Sequence, residues 1–399
     1  MRTVKRIVKH ILFGANVFFS KIRSLFCKNK NVLLISYYAA YDEHVIKYYD
    51  CLEDKKNIKF YFMDSNNSKE RRDLSFLENR NIKVIRFRGT FLTYICRFWD
   101  LIVLPCHLLG NGDDVLYDYI PTLFIFHGTS SILTNGELFA YKKTSTLNSR
   151  GVCKYSVMLE NNRILADELN KTKEFHNKIV FTGSASADLI TDAIDKKEDY
   201  RKKIGIKPDE IVVFIYSTWN TESLFHVLGE EFLKKIKSVK SIGGKEVKFI
   251  LSIHPKEYTD YSPVVKSMGK TVDSYACSHI IIRKPEDDWL PYLISSDIVI
   301  GDYSSMFDYS VLANKKIILS SVSNIVMSEF SIIKKGYESL PVIDKNSNIE
   351  EVLETVYNKP INENLKNIRT QIYTEKGFYG KVVSKVTEDL LYNKGIKNG

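Results

Sequence analysis

Three segments of this chain combine residue types that handle protons and phosphate, and each follows an apolar run of strand type. The first is His127-Gly128-Thr129, directly after Thr122-Leu-Phe-Ile-Phe126. A histidine at the carboxyl end of a strand titrates near neutral pH and suits a general base, and the glycine allows close backbone approach. A buried histidine that only holds a loop would leave the same trace. The second is His254-Pro255, after Val247-Lys-Phe-Ile-Leu-Ser252. Proline biases the preceding histidine to extended backbone and so directs it out of the strand. The third is Gly301-Asp302-Tyr303-Ser304-Ser305-Met306-Phe307-Asp308, after Ile298-Val-Ile300. Here a strand ends and two hydroxyls open a helix, whose first turn offers backbone N–H groups and a positive dipole end to an anion such as a pyrophosphate. Asp302 or Ser304 as a simple helix cap is compatible with that role.

The elements that must position these segments alternate. Strand-like runs are expected at 31–36, 58–63, 82–87, 100–104, 122–126 and 178–182, with a helix at about 42–54 and another from Gly183 to about 203. A second series has strands at 211–216, 247–252, 279–282, 297–300 and 316–320, helices at about 221–238 and from about 304, and a helical end from about 349 to 393. Such alternation builds parallel sheets with helices on both faces, and ligands then sit beyond the carboxyl ends of the strands. The turn-rich Gly205-Ile-Lys-Pro208 divides the series. The expectation is an α/β chain of two Rossmann-like domains, 31–205 and 206–399, with parallel sheets facing a central cleft.

Composition agrees with a globular chain: 399 residues, 44% hydrophobic and 27% charged. The net charge of +10 is unevenly placed, for the first 30 residues hold eight Lys and Arg and no acid precedes Asp42. The remainder carries only +2, which argues against a broad nucleic-acid surface. Six cysteines, at 27, 51, 96, 106, 153 and 277, show no CxxC or zinc spacing and read as free thiols of a reducing compartment, the cytoplasm or a membrane's cytoplasmic face. No GxGxxG, P-loop, HExxH or GxSxG motif and no Asp-x-Asp pair is present. No cofactor is expected, and the motifs require no metal.

Residues 1–30 read as a basic amphipathic helix. Val4, Ile7, Ile11, Phe18, Ile22 and Leu25 recur at steps of three, four or seven, with Lys5, Arg6, Lys9, Lys21 and Arg23 off that stripe. The longest uncharged run, Ile11 to Ser20, falls short of the about 20 residues that span a bilayer. The expectation is an in-plane helix on an anionic membrane surface. A stripe packed on its own domain is the alternative.

The three segments, in this order, resemble the CDP-glycerol glycerophosphotransferase family, the teichoic-acid primases and polymerases. The stretch Leu290 to Asp308, followed by Lys315-Lys316, is similar to that family's long Thr-Asp-Tyr-Ser-Ser and Phe-Asp motif. Tyr216-Ser217-Thr218-Trp219 looks like its Tyr-Ala-Pro-Thr-Trp, and His127-Gly128-Thr129 and His254-Pro255 match its two histidine motifs. Asn220 replaces a usual Arg after Thr-Trp, Ser130 a usual Lys after His-Gly-Thr, and Ser184 to Asp188 a usual Pro-Arg-Asn-Asp. Each change removes positive charge.

The resemblance implies a GT-B fold with the nucleotide held mainly by the C-terminal domain. It implies transfer of glycerol phosphate, or a related polyol phosphate, from a CDP-linked donor to a hydroxyl of a lipid-linked or polymeric acceptor in cell-wall or capsular polymer synthesis, CMP leaving. His127 would deprotonate the acceptor, beside the acceptor-side loop of Gly128 and Thr129. His254, in cationic form, would hold the transferring or leaving phosphate. Ser304 and Ser305 would take the remaining charge, with Tyr216, Thr218, Asp302 and Asp308 on the donor side; Asp308 could also orient a base or brace the loop. The location implied is the cytoplasmic face of the bacterial cell membrane, held peripherally by residues 1–30. A GT-B glycosyltransferase using a nucleotide sugar and an inactive membrane-bound scaffold are the rival readings.

Overall fold

The computed structural model describes residues 2–26, 28–36, 42–64, 74–86, 98–107, 114–126, 132–134, 137–138, 141–148, 150–258, 263–322 and 324–392. The strands are β1 (Lys30–Ser36), β2 (Ile58–Asp64), β3 (Ile82–Arg86), β4 (Leu101–Leu104), β5 (Thr122–Ile125), β6 (Ile132–Thr134), β7 (Glu137–Leu138), β8 (Val157–Glu160) and β9 (Ile179–Phe181). They continue with β10 (Ile211–Tyr216), β11 (Ser241–Ile242), β12 (Lys245–Ser252), β13 (Ile280–Arg283), β14 (Ile298–Gly301), β15 (Lys316–Ser320), β16 (Val326–Met327) and β17 (Val342–Ile343).

The chain divides into two compact units. The first comprises 1–127, 140–185 and 375–399, and the second 128–139 and 186–374. This corrects the expected split near 205 in two ways. The boundary falls at 185/186, and the C-terminal helix Phe378–Tyr392 belongs to the first unit, not to the second. The reason is burial: Val383, Val386, Leu390 and Leu391 share one apolar cluster with Val45, Tyr48, Phe60 and Phe62. The Tyr48 hydroxyl also meets Thr387 Oγ1 at 3.0 Å.

The first unit is a seven-stranded parallel sheet in the order β3-β2-β1-β4-β5-β8-β9. The second carries the order β11-β12-β10-β14-β15-β17, with β13 beside β12, and is parallel except for the short β11. A small antiparallel sheet, β16-β6-β7, completes it. Both units are thus of the Rossmann-like α/β kind that GT-B proteins carry.

Strand β10 shows why the runs are apolar throughout. Val212, Phe214 and Tyr216 point to a cluster with Val299, Phe307 and Ile317, while Ile211, Val213 and Ile215 point to another with Phe225, Leu233, Phe249 and Leu353. A parallel sheet covered on both faces needs this, since successive side chains alternate sides.

The helix α1 (Arg2–Phe26) has two unlike faces. Phe13 is fully buried and stacks on Tyr119, with ring centroids 5.9 Å apart. His10 Nδ1 lies 3.2 Å from the Tyr119 hydroxyl, and Arg23 pairs with Asp100 at 2.8 Å. Ile7, Ile11, Phe18 and Ile22 are exposed, by 54%, 65%, 61% and 39%, with Val8 and Phe19 beside them. The stripe read from the sequence is therefore the outward face; a different set of residues docks the helix. The side chains of Val4 and Leu25 lie outside the described residues. No described helix is long and apolar enough to cross a membrane.

Candidate functional site

In the second unit the strand order reverses between β10 and β14: β12 and β13 lie to one side, β15 and β17 to the other. Such a reversal opens a crevice at the carboxyl edge of the sheet. The residues leaving β10 and β14 are Ser217-Thr218-Trp219 and Asp302-Tyr303-Ser304-Ser305.

Asp302 joins these two loops. It is fully buried, and its Oδ2 accepts the N–H of Thr218 at 2.7 Å, the N–H of Leu224 at 3.1 Å and the Ser217 hydroxyl at 3.3 Å. Its Oδ1 accepts the N–H of Ser304 at 3.1 Å. Burial pushes its carboxyl up to about 6 against the pull of these four donors. Gly301 lies against the Tyr216 ring so closely that a Cβ there would overlap Cζ, Cε2 and the hydroxyl. Tyr216 is 1% exposed and packs in the core, and Asp308, equally buried, lies on the helix Met306–Leu312. Both residues sit beneath the site.

The turn after β14 differs from the expected row of open N–H groups. Ser304 N–H is taken by Asp302, Met306 N–H by Ser304 Oγ at 3.3 Å, and Phe307 and Asp308 N–H by the carbonyls of Ser304 and Ser305. The helix starts with a tight turn that closes on itself. Among the described residues, Ser305 keeps its N–H and hydroxyl without a protein partner, and so does the Thr218 hydroxyl. These donors are what the crevice offers an anion.

His254 stands at the end of β12. Its Nδ1 accepts the N–H of Lys256 at 3.2 Å, so its Nε2 carries the proton of the neutral ring. Burial first, then the charges of Lys256 and Arg283, pull its pKa down to about 4. Without an anion the ring is therefore neutral at pH 7, and the expected cationic form belongs to the phosphate-bound state.

Two cations that the motifs did not single out stand beside it. Lys256 Nζ lies 3.9 Å from the centroid of the Trp219 ring. Arg283 ends β13 and is 8% exposed; its Nε donates to Ser252 Oγ at 2.8 Å and its Nη1 to the carbonyls of Lys284 and Asp287. Arg283 is the residue next to the expected strand 279–282, so inspection of that strand's end would have found it.

Asn220 links three strand-end loops. Its backbone has φ of 92°, a conformation asparagine tolerates better than most residues. Its N–H donates to Glu257 Oε1 at 3.1 Å, and its Oδ1 accepts the Tyr303 hydroxyl at 3.3 Å and the N–H of Glu222 at 2.8 Å. Glu257 Oε2 meets His226 Nε2 at 3.2 Å. Lys315, expected after the long motif, is buried with Nζ bonded to the carbonyls of Ile294 and Ser296, both at 2.8 Å, and burial lowers it to about 7. His127, Gly128 and Thr129 lie outside the described residues. No group of three or more His, Cys, Asp and Glu suited to a metal ion occurs among the described residues.

The family model for CDP-glycerol:poly(glycerophosphate) glycerophosphotransferase matches residues 17–321. Among solved structures, the wall teichoic acid polymerase TagF superposes with a TM-score of 0.64 at 12% identity, covering 98% of this chain and 99% of that one. A TagF variant soaked with CDPG gives 0.64 at 14% identity, with the same coverage. UDP-GlcNAc 2-epimerase from Neisseria meningitidis, bound to UDP-GlcNAc, gives 0.55 at 13% identity over 91% of this chain and all of that one. The comparison with curated proteins gave no match.

Proposed function

Because this chain belongs to the CDP-glycerol:poly(glycerophosphate) glycerophosphotransferase family, we propose that it moves glycerol phosphate, or a related polyol phosphate, from a CDP-linked donor to a hydroxyl of a lipid-linked or polymeric acceptor. It is a glycerophosphotransferase-like enzyme of cell-wall polymer synthesis. In the proposed step the acceptor oxygen forms a bond to the β-phosphorus of the donor. The bond from that phosphorus to the bridging oxygen breaks, CMP leaves with the electron pair, and the acceptor proton goes to His127. Little covalent help is needed; charge stabilisation does most of the work.

The observation that carries this reading is the pair of loops braced by Asp302, with Thr218 Oγ1 and the Ser305 hydroxyl and N–H left open beside them at the sheet reversal. These donors are proposed to hold the donor's diphosphate, with the Ser304 hydroxyl assisting. His254 offers its Nε2–H to the transferring or leaving phosphate and takes on positive charge as that phosphate arrives. Asp302, Tyr216 and Asp308 are proposed as supports of the loops and not as groups that touch the donor, because each is buried.

The acceptor chemistry gives α1 a role. We propose that its exposed face of Ile7, Ile11, Phe18 and Ile22 enters the acyl boundary of an anionic membrane while the basic residues meet the head groups. The enzyme would then act peripherally on the cytoplasmic face, where a lipid-linked acceptor is presented.

The test is a panel of CDP-glycerol, CDP-ribitol and UDP-hexoses, with release of the nucleotide followed over time. Release of CMP that depends on a hydroxyl acceptor supports the proposal. Turnover of a UDP-hexose without turnover of either CDP-polyol overturns it in favour of a sugar transferase.

A further inference from the structure

The end of the sheet beyond β12 carries charge that the reading above does not use. Arg283 is more than nine-tenths buried, yet none of its hydrogen bonds among the described residues goes to a carboxylate. Its Nε and Nη1 are held by the Ser252 hydroxyl and two carbonyls, and Nη2 has no hydrogen-bond partner among the described residues. The carboxylates of Asp287 and Asp288 act on it through space without bonding to it, so Nη2 is left for an anion whose bond would offset the cost of burying the guanidinium.

The backbone register aims Arg283 toward His254. Arg283 is paired with Ser252 across β12 and β13, and its side chain lies over the Ser252 hydroxyl. His254 is two residues further along, and residues two apart in extended chain share a side. Lys256 approaches from the next turn, with its ammonium on the Trp219 ring and its N–H on His254 Nδ1. The neighbouring charges have other tasks. Lys284 Nζ pairs with Asp273 at 3.0 Å, Asp287 Oδ2 accepts the Lys284 N–H and the Tyr292 hydroxyl, and Glu257 is taken by His226 and Asn220.

We propose that Arg283, Lys256 and His254 form a second phosphate-binding subsite at the carboxyl ends of β12 and β13, beside the Thr218–Ser305 donors, and that the donor's diphosphate is held between the two. Arg283 supplies the two hydrogens of Nη2, held in direction by the bonds on Nε and Nη1, and Lys256 a point charge fixed in direction by Trp219. Both cations touch the ligand, so they set its affinity directly. Burial first, and then repulsion by Lys256 and Arg283, keep His254 neutral until an anion arrives. The identity of the diphosphate as the donor's rests on the proposed function; the existence of the subsite does not.

The experiment is calorimetric titration of the full chain with inorganic pyrophosphate, CMP, CDP-glycerol and a short glycerol phosphate oligomer. The variants are Lys256→Gln, Arg283→Gln and Arg283→Lys, each checked for folding by thermal unfolding. The expected result is a loss of at least tenfold in pyrophosphate and CDP-glycerol affinity for Lys256→Gln and Arg283→Gln, partial recovery in Arg283→Lys, and competition between CDP-glycerol and pyrophosphate in the unmodified protein. If Arg283→Gln fails to fold, Lys256→Gln carries the decision. A folded Lys256→Gln that binds pyrophosphate as the unmodified protein does overturns the subsite, as does absence of pyrophosphate binding to the unmodified protein. Pyrophosphate binding that needs both cations, without binding of any CDP compound, supports the subsite and removes the CDP-polyol reading. Competition by the oligomer but not by CDP-glycerol overturns the assignment to the donor.

Discussion

The Asp302 carboxylate lies 2.7 Å from the N–H of Thr218, so the loop after β14 holds the loop after β10 in place. The Ser217 hydroxyl and the N–H groups of Leu224 and Ser304 meet the same carboxylate. A single ionised group therefore fixes where the open donors of both loops stand.

That contact has a pH signature of opposite sign for rate and stability. Burial raises the Asp302 carboxyl to about 6, above the value of about 3.9 for an unfolded chain. Folding then takes up a proton between these values. Stability from this group is full at low pH and falls as pH rises from about 4 to about 6, by up to about 1.4 kcal/mol per pH unit. The loop brace needs the ionised form, so transfer should fall as pH drops below about 6. Denaturant melts of the protein and of Asp302→Asn from pH 4 to 7 test the first part, and initial rates over the same range the second. A stability difference that does not change with pH would sink this account.

Gly301→Ala should destabilise the second unit by about 1–3 kcal/mol or more, since the new methyl group overlaps the Tyr216 ring in a packed core. The double variant with Tyr216→Leu should be less destabilised than the sum of the two single changes, because the leucine leaves room. Additive melting shifts would show that the ring yields easily.

His254 should take up a proton when a phosphate ligand binds. Its free pKa is about 4, and a phosphate dianion beside it raises that value. Affinity should therefore increase as pH falls from the bound value toward 4, and the increase should stop there. Titrations in buffers of different ionisation enthalpy measure the uptake, and His254→Gln should abolish it. Equal uptake in that variant would assign the proton elsewhere.

His127→Ala should lower kcat by about 10²–10⁴ with the melting temperature unchanged, the usual worth of a general base. Full specific activity in a variant that melts early would make the histidine a packing residue.

The two faces of α1 should separate in mutagenesis. Ile11→Ser with Phe18→Ser changes exposed residues, so it should reduce sedimentation with anionic vesicles and leave the melting temperature unchanged. Phe13→Ala empties a buried position against Tyr119 and should cost about 3–5 kcal/mol of local stability. High salt should loosen but not abolish vesicle binding, because the apolar term is not screened. Undiminished sedimentation of the double variant would place the membrane contact outside this helix.

What the sequence made legible follows the physics of each signal. Ile211–Tyr216 and Lys316–Ser320 are apolar runs buried on both faces, and both strands appear where those runs predict them. The Asp302–Ser305 turn was legible because strand, small residues and helix follow each other in one short stretch. Strand β8 carries no clear signal, although it is fully buried, because its apolar run of Val157, Met158 and Leu159 is cut short by the buried Glu160. The pairing of β6 with β16 joins residues nearly two hundred positions apart and leaves no local trace. Lys256 and Arg283 were missed for another reason: a lone cation after a strand resembles any surface charge until its neighbours are known. The placement of the C-terminal helix depended on which unit had an uncovered apolar face, and no periodicity records that.

That helix has a consequence for the order of events during synthesis. Much of the first unit, residues 1–127, leaves the ribosome before the second, yet Val383, Val386, Leu390 and Leu391 are part of its interior. Its core therefore stays open until residues 378–392 have been made, by which point the second unit, 128–139 and 186–374, already has all its parts. The unit that starts later along the chain should thus complete a folded body first, reversing the usual N-terminal-first sequence. During that interval the apolar side of β1 and α2 (Asp42–Cys51) is bare, and a nascent chain stalled before residue 375 would present it to chaperones or to other chains.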